Sequence, residues 1–195
     1  MARPYYVTTP IYYVNDRPHI GHAYSTVAAD VVARYEALRG KPTYFLTGLD
    51  EHGLKIERRA KEMELAPQDF VDRMAAPFRD AWEELDCAHD GFIRTTSAQH
   101  RERVQALWKQ MEAKGDNYLD DYEDWYCVGC ESFKTEKELL EGKLCPIHQK
   151  PVERIKERSY FFRLSSYTQP LLDYFEAHPG FVQPEARFNE VKSFV

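Results

Sequence analysis

The strongest constraint in this sequence is a pair of short motifs in its second half. Cys127-x-x-Cys130 is followed, after fourteen residues, by Cys145-x-x-His148. Two ligands three residues apart can come from one tight turn, and a tetrahedral zinc ion prefers thiolate and imidazole ligands. Four such side chains would fill the coordination sphere and leave no position for water. The spacing therefore predicts one structural zinc site, which requires the two turns to face each other.

Composition limits the class of protein to which the chain can belong. Hydrophobic residues make up 43% of the 195 residues, which is enough for a packed core and argues against disorder. The net charge of -6 argues against binding nucleic acid mainly through bulk charge. No apolar run is long enough for a membrane span, and the N-terminus lacks the pattern of a signal peptide. We therefore expect a cytoplasmic protein with reduced cysteines and no membrane partner. Cys87, outside the zinc motif, is predicted to be a small core residue.

The first third of the chain has the pattern of a strand, a helix and a second strand. The segment 5–13 is rich in tyrosine and β-branched residues, Pro18 suits the first position of a helix, and 43–47 is again strand-like. Such a βαβ unit implies a parallel sheet. The predicted helix carries one apolar stripe, formed by Val27, Val31, Tyr35 and Leu38.

Further helices and one strand follow. The stretch 54–85 has large apolar residues every four positions, but Pro67 and Pro77 predict two helices or a kink. The segment 92–95 reads as a third strand, and 96–99 fits a capping box that would open another helix. The apolar face of that helix is predicted to consist of Val104, Leu107, Trp108 and Met111.

The character of the sequence changes near residue 116. The segments 118–126 and 152–164 are typical of antiparallel strands, and 166–177 and 185–195 are helical. We therefore predict two domains, 1–115 and 116–195. Because the last residues read like the middle of a helix, we expect a truncated chain.

Two polar clusters follow the first two predicted strands. In Pro18-His19-Ile20-Gly21-His22, both histidines share one face at a helix N-terminus, where free N–H groups attract phosphate. Gly21 would let a flat base or a phosphate approach the backbone. In Gly48-Leu49-Asp50-Glu51-His52-Gly53 a carboxylate could bind an ammonium group, but taken alone this second cluster is better explained as an ordinary polar turn with helix-capping acids. The carboxyl ends of parallel strands form the usual ligand crevice.

Taken together, these motifs resemble the class I aminoacyl-tRNA synthetases, and within them the methionyl branch. His19 to His22 is similar to the first signature of that class, and Cys145-Pro146-Ile147-His148 matches bacterial enzymes with one zinc knuckle. Other runs similar to the methionyl branch are 7–15, 45–53, 92–96 and 126–130. The resemblance implies an α/β fold: the first half of a Rossmann-like parallel sheet with helices, in 1–115, and a connective domain with a zinc knuckle, in 116–195.

The resemblance also implies an activity. Such an enzyme joins methionine to ATP, which enters with Mg²⁺, and then transfers the methionyl group to tRNA(Met). His19 and His22 would stabilise the developing phosphate charge, with Gly21 and Asn15 also contacting ATP. Asp50 would pair with the ammonium group of L-methionine. The other positions that match the methionine site are Pro10, Ile11, Tyr13 and His52.

The sequence also departs from the family pattern. It contains no Lys-Met-Ser-Lys-Ser run, so we expect the isolated polypeptide to be weakly active or inactive. We expect it to be either a fragment or a chain that needs a partner chain supplying the C-terminal half. Two alternatives stay open at this point. One is a small nucleotidyltransferase with an HxGH motif, and the other is a non-catalytic, zinc-stabilised binding module derived from a synthetase.

Overall fold

The computed structural model describes residues 3–195, and the chain divides into two compact units between Gln105 and Ala106. The division into domains at 1–115 and 116–195 remains a prediction, because compactness alone does not define an independent domain.

A parallel sheet forms the centre of the first unit. Its strands are β1 (Tyr5–Thr8), β2 (Tyr12–Tyr13), β3 (Thr43–Asp50) and β4 (Gly91–Arg94). Strand β3 pairs with β1 through its first half, with β2 at its carboxyl end, and with β4 in between. All three pairings are parallel, so the predicted α/β fold with a parallel sheet is confirmed.

The predicted first strand is in fact two strands, because the pairing is interrupted at Pro10. Proline has no N–H group to donate to the ladder. The Thr9 hydroxyl donates to the Pro10 carbonyl at 2.8 Å instead. After this break, β2 resumes the pairing with Leu49 and Asp50, so the tyrosines of β2 lie at the carboxyl end of the sheet.

Helix α1 (Ile20–Leu38) begins two residues later than predicted, with His19 as its N-cap and Pro18 outside it. Its orientation also differs from what the apolar stripe suggests. Val31 and Tyr35 are 58% and 57% exposed, and Leu38 is 88% exposed. The side facing the sheet carries small residues, Ala29 and Ala33, packed on Phe45. Small side chains let the helix backbone approach the sheet closely, so the helix buries this face and leaves the stripe in solvent.

Two further helices complete the core of the first unit. These are α2 (Leu54–Glu62) and α3 (Pro67–Glu84), as the prolines predicted. Pro67 lies in the first turn of α3, whereas Pro77 lies inside α3 without ending it. The core includes Tyr12, Val14, Leu49, Ile56, Phe70, Phe78 and Trp82.

Helix α4 (Ala98–Ala113) follows β4, and its cap is shifted from the prediction by one residue. Ser97, and not Thr96, accepts a hydrogen bond from the backbone N–H of His100, at 3.3 Å. Thr96 is occupied elsewhere, because its hydroxyl donates to Glu51. The predicted apolar face is largely open, with Leu107 57% exposed.

The second unit is built on an antiparallel sheet. Strand β5 (Asn117–Cys127) lies between β6 (Ser132–Lys134) and β7 (Glu153–Phe162). A short 3₁₀ turn then leads to α5 (Thr168–Ala177) and α6 (Glu185–Phe194). Strands β5 and β7 and helices α5 and α6 agree with the segments predicted from the sequence, whereas β6 was not predicted. Among the described residues, no helix is both long and apolar enough to cross a membrane.

The core of the first unit yields a stability prediction. Phe70 is fully buried, so Phe70→Ala would remove a large apolar contact and leave a cavity. We expect a loss of about 3–5 kcal/mol in the free energy of unfolding. Urea unfolding followed by far-ultraviolet circular dichroism measures this loss. Leu38→Ala is the matched control, and at this exposed position we expect a change within about 0.5 kcal/mol. Equal losses for both variants would contradict the assigned core.

Candidate functional site

The histidine motif forms a reciprocal cap at the N-terminus of α1. The Nδ1 atom of His19 accepts a hydrogen bond from the Gly21 backbone N–H at 3.0 Å. In return, the backbone N–H of His19 donates to Nδ1 of His22 at 3.2 Å. The two imidazole rings stack with their centroids 3.8 Å apart. Both side chains are therefore held in place by the backbone that they cap.

These hydrogen bonds also decide the tautomers of the two rings. A neutral imidazole that accepts at Nδ1 carries its hydrogen on Nε2. Both His19 and His22 accept at Nδ1, so each has an Nε2–H group left to donate. The backbone N–H groups of Gly21 and His22 already donate to His19, so the Nε2–H groups are the side-chain donors that this helix N-terminus can offer to an oxyanion.

The structure gives a reason for a glycine at position 21 that the sequence alone did not reveal. A Cβ atom at this position would lie 2.9 Å from Cε1 of His19, closer than side chains normally approach. The glycine therefore makes room for the imidazole that caps the helix. The predicted approach of a base or phosphate to Gly21 remains a prediction.

Burial controls the charge of His22. Its ring is half-buried and packs against Tyr12 and Phe78, with centroids 4.9 and 5.5 Å away. This burial, with a smaller contribution from neighbouring His19, lowers the pKa of His22 below its usual value of about 6.5. The neutral form of His22 is thus favoured at neutral pH.

The predicted methionine-site residues gather at the carboxyl end of β3. Asp50 is the last residue of β3 and lies opposite Tyr13 in the parallel pairing. The Tyr13 hydroxyl donates to the backbone carbonyl of His52 at 2.8 Å. Tyr12, next to Tyr13, packs against His22. Strand β2 therefore links the two polar clusters that the sequence singled out.

The remaining predicted residues lie on the segments flanking β2. Pro10 and Ile11 precede the strand and are exposed, Ile11 by 42%. Asn15 follows it and lines a cavity of about 330 Å³, together with Asp16 and the α2 side chains Lys55, Arg58, Arg59 and Glu62. The roles of all these residues remain proposals.

Sequence reasoning missed a charged network beside Asp50. Glu51 accepts a hydrogen bond from Nε of Arg94 at 2.6 Å, and a second Arg94 nitrogen donates to Asp72, also at 2.6 Å. Burial lowers the Arg94 pKa, but these two bonds more than offset it and raise the value. The sequence feature that could have predicted this network was Arg94 itself, because a charged residue at the end of a predicted buried strand needs a partner.

The four predicted metal ligands come together in the second unit. The donor atoms of Cys127, Cys130, Cys145 and His148 all lie within 4.8 Å of one another. His148 Nδ1 is 3.8, 3.2 and 3.9 Å from the three sulfurs, in that order. Ligands of one tetrahedral zinc ion, bound at about 2.0–2.3 Å, lie about 3.5–3.8 Å apart. The spacing of the donors fits one such ion.

The ionisation of the thiols also suits a cation. Hydrogen bonds led by the backbone N–H of His148 lower the Cys145 pKa to about 6. Desolvation and the neighbouring thiols raise the Cys130 pKa to about 11. Thiolates this close repel one another, and a divalent cation would offset that repulsion. Gly129 contributes space, because a Cβ atom there would lie 2.7 Å from the His148 ring.

Cys87 is separate from this cluster. Its side chain is buried in the core of the first unit, as predicted, and burial raises the pKa of its thiol.

The environment of His22 gives a prediction about protonation. Nuclear magnetic resonance titration should place the His22 pKa below about 6.5, and His19→Asn should raise it only partly, because burial is the larger cause. Since the unfolded chain binds this proton more tightly than the folded chain, His22 makes folding less favourable as the pH falls below about 6.5. His22→Gln identifies the resonance. A midpoint above the usual value would contradict this account of the site.

Comparison with known proteins agrees with the geometry. Residues 5–154 match the family model for tRNA synthetases class I (M). The methionine–tRNA ligase of Caldanaerobacter subterraneus is 50% identical over 195 residues, which is 100% of this chain and 30% of that protein. The ligase of Streptomyces coelicolor is 52% identical over 202 residues, covering 100% of this chain and 38% of the relative.

Solved structures give the same result. Methionyl-tRNA synthetase of Mycobacterium tuberculosis, in complex with methionyl-adenylate, superposes with a TM-score of 0.92 at 45% identity. The match covers 99% of this chain and 38% of that one. The chain thus spans 30–38% of the length of these relatives. Because the family model covers most of the sequence, this chain belongs to the class I tRNA synthetases of the methionine type.

Proposed function

We propose that this chain carries the amino-acid activation site of a methionine–tRNA ligase, which joins methionine to ATP and then charges tRNA(Met). The observation that carries the proposal is the pair of stacked imidazole rings of His19 and His22 at the N-terminus of α1, whose Nδ1 atoms are taken up by the cap and whose Nε2–H groups remain as donors. Strand β2 ties this pair to the Asp50 carboxylate at the end of β3. The names of the relatives supply the amino acid and the nucleic acid.

In the first step, the methionine carboxylate attacks the α-phosphorus of ATP, and pyrophosphate leaves. Negative charge grows on the phosphate oxygens as the bond to the incoming carboxylate forms. Donors fixed before the reaction stabilise that charge without reorganising, so they act mainly on rate. His19 and His22 fit this role because the cap holds their rings stacked, with both Nδ1 atoms occupied by backbone N–H groups. ATP enters with Mg²⁺, and Gly21 and Asn15 complete its contacts.

Methionine recognition falls to the residues around β2 and the end of β3. The Asp50 carboxylate pairs with the α-ammonium group of methionine. Ile11 and Tyr13 contact the side chain, with Pro10 and His52 at the margin of the pocket. The methionyl group then passes from the adenylate to the terminal ribose hydroxyl of tRNA(Met).

We also propose that Cys127, Cys130, Cys145 and His148 bind one structural zinc ion. Their donor atoms fit a closed tetrahedral set, and Cys127 and Cys145 are buried with Val152 in a small core of their own. Zinc bound there would hold the turns after β5 and before β7 together, in a unit with few other buried apolar side chains.

The decisive experiment is methionine-dependent exchange between pyrophosphate and ATP. The assay compares the chain alone with the chain fused to the part of the Streptomyces coelicolor ligase that follows the matched region. We expect exchange from the fusion, with little from the chain alone. No exchange in either case, with folded and zinc-loaded protein, would overturn the proposal and favour a non-catalytic binding module.

The histidine pair gives a more specific prediction. In the fusion protein, His22→Ala should lower the kcat of exchange about 10²–10³-fold, because a donor to the developing charge is lost. The KM for methionine should change little, since His22 is assigned to the phosphate. His178→Ala, in the second unit, is the control and should leave exchange unchanged. Wild-type kcat in His22→Ala would remove this residue from the mechanism.

The zinc proposal is tested separately on the chain alone. Cys130→Ser should lower zinc content from one ion per chain and reduce the protection of residues 118–162 in hydrogen exchange. Cys87→Ser replaces a cysteine outside the cluster and should retain the metal. Full zinc content in Cys130→Ser, with unchanged protection, would contradict the proposal.

A further inference from the structure

A fully buried carboxylate next to the proposed ammonium-binding residue has no role in the activity described so far. The Glu51 side chain has no exposed surface, and that of its partner Arg94 is 20% exposed. A buried carboxylate is costly unless it is paired and hydrogen-bonded, and its retention invites a functional explanation. Glu51 is fully satisfied, because Oε1 accepts from Arg94 and Oε2 accepts from the Thr96 hydroxyl at 2.5 Å.

The position of this network matters more than its charge. Backbone pairing between β3 and β4 ends at Leu49 and Arg94. One more backbone bond follows, from the Thr95 N–H to the Leu49 carbonyl at 3.4 Å, and after it side chains make the connections between the two segments. The backbone N–H of Glu51 donates to the Thr95 hydroxyl at 3.0 Å, and the His52 ring lies 3.3 Å from the Thr95 carbonyl. The Glu51 carboxylate then fastens the same segment to Arg94 and Thr96.

Asp50 lies between two such attachments. On one side it is paired with Tyr13 of β2. On the other it is followed directly by Glu51, whose backbone and side chain are both fixed to the segment after β4. A shift of Glu51 would therefore move the Asp50 carboxylate, because the two residues share a peptide bond.

Arg94 acts as the fixed point of the network. Its Nε donates to Glu51, and a terminal nitrogen donates to Asp72 on α3. Gln68, also on α3, donates to the same Asp72 oxygen at 3.0 Å. A planar guanidinium can hold two carboxylates in a fixed geometry, which a lysine ammonium cannot do in the same way. Arg94 thus connects the segment after β3 to helix α3, which belongs to the core of the first unit.

We propose that Glu51 is a positioning residue for methionine binding, which acts by holding Asp50 and His52 through Arg94 and Thr96. The inference rests on the proposed function, since it assigns Glu51 to the same ammonium site. In this proposal Glu51 acts without touching the substrate, because its carboxylate is fully occupied by Arg94 and Thr96. Its loss should weaken methionine binding selectively, because the α1 donors assigned to ATP do not depend on it.

The test uses the fusion protein and separates the KM for methionine from the KM for ATP. Glu51→Gln keeps the size of the side chain but removes the charge that Arg94 requires. We expect the methionine KM to rise about tenfold, and the ATP KM and kcat to stay within about twofold. Glu36→Gln is the matched control. Glu36 is also a nearly buried carboxylate, paired with Lys41, but it lies about 25 Å along α1 from His19. It should lower stability without changing either KM.

A double-mutant cycle with Asp50 identifies the route of the effect. Asp50→Asn should itself raise the methionine KM. If Glu51 acts through Asp50, adding Glu51→Gln in that background should change the KM less than about twofold. Full additivity of the two changes, or an equal effect of Glu51→Gln on both substrates, would overturn the inference. No effect of Asp50→Asn would instead overturn the proposed role of Asp50.

A second variant covers the case in which Glu51→Gln does not fold. Arg94→Lys retains the positive charge beside Glu51 but cannot span Glu51 and Asp72 together. It should again raise the methionine KM more than the ATP KM. A folded Arg94→Lys enzyme with both constants unchanged would overturn the inference.

Discussion

The proposed activation site depends on the way in which the parallel pairing of β3 comes to an end. Strand β3 pairs with β2 up to Asp50 and with β4 up to Leu49, and the polar residues follow where these ladders stop. Backbone groups that leave a ladder must find other partners when they are buried. Here the Thr95 hydroxyl and the Tyr13 hydroxyl provide them. The same bonds that satisfy the backbone also hold Asp50 and His52 in place.

At the N-terminus of α1, too, the same side chains satisfy the backbone and form part of the proposed site. A helix leaves its first N–H groups without partners inside the helix, and a capping side chain normally fills part of that need. In this chain His19 is the cap: its Nδ1 accepts from the Gly21 N–H, and its own backbone N–H donates to Nδ1 of His22, so each bond fixes the tautomer of one ring. Capping and the proposed contact with phosphate thus use different nitrogens of the same imidazole rings. This arrangement also explains Gly21, since a larger residue would collide with the capping ring.

The cluster of three cysteines and His148 meets a different physical need, the stability of the second unit. The second unit has one small buried cluster, formed around Cys127, Cys145 and Val152, within the residues that the structure describes. Most of its other aromatic side chains lie half-exposed along the sheet formed by β5, β6 and β7. A small apolar core contributes little stability, and metal coordination is a common way to hold such a unit together.

The sequence by itself determined the features that depend on neighbouring residues. The sequence showed the spacing of Cys127, Cys130, Cys145 and His148 and the histidines at the start of α1. It also predicted the order of the helices and longer strands, but neither the break at Pro10 nor the short strand β6. Only the tertiary structure decided which face of α1 is buried, because the choice depends on the close approach that Ala29 and Ala33 allow against Phe45. The ion pair between Glu51 and Arg94 could likewise not be predicted from the sequence. Those residues are separated by a whole pair of helices, and no local period records a contact that exists only once β3 and β4 lie side by side.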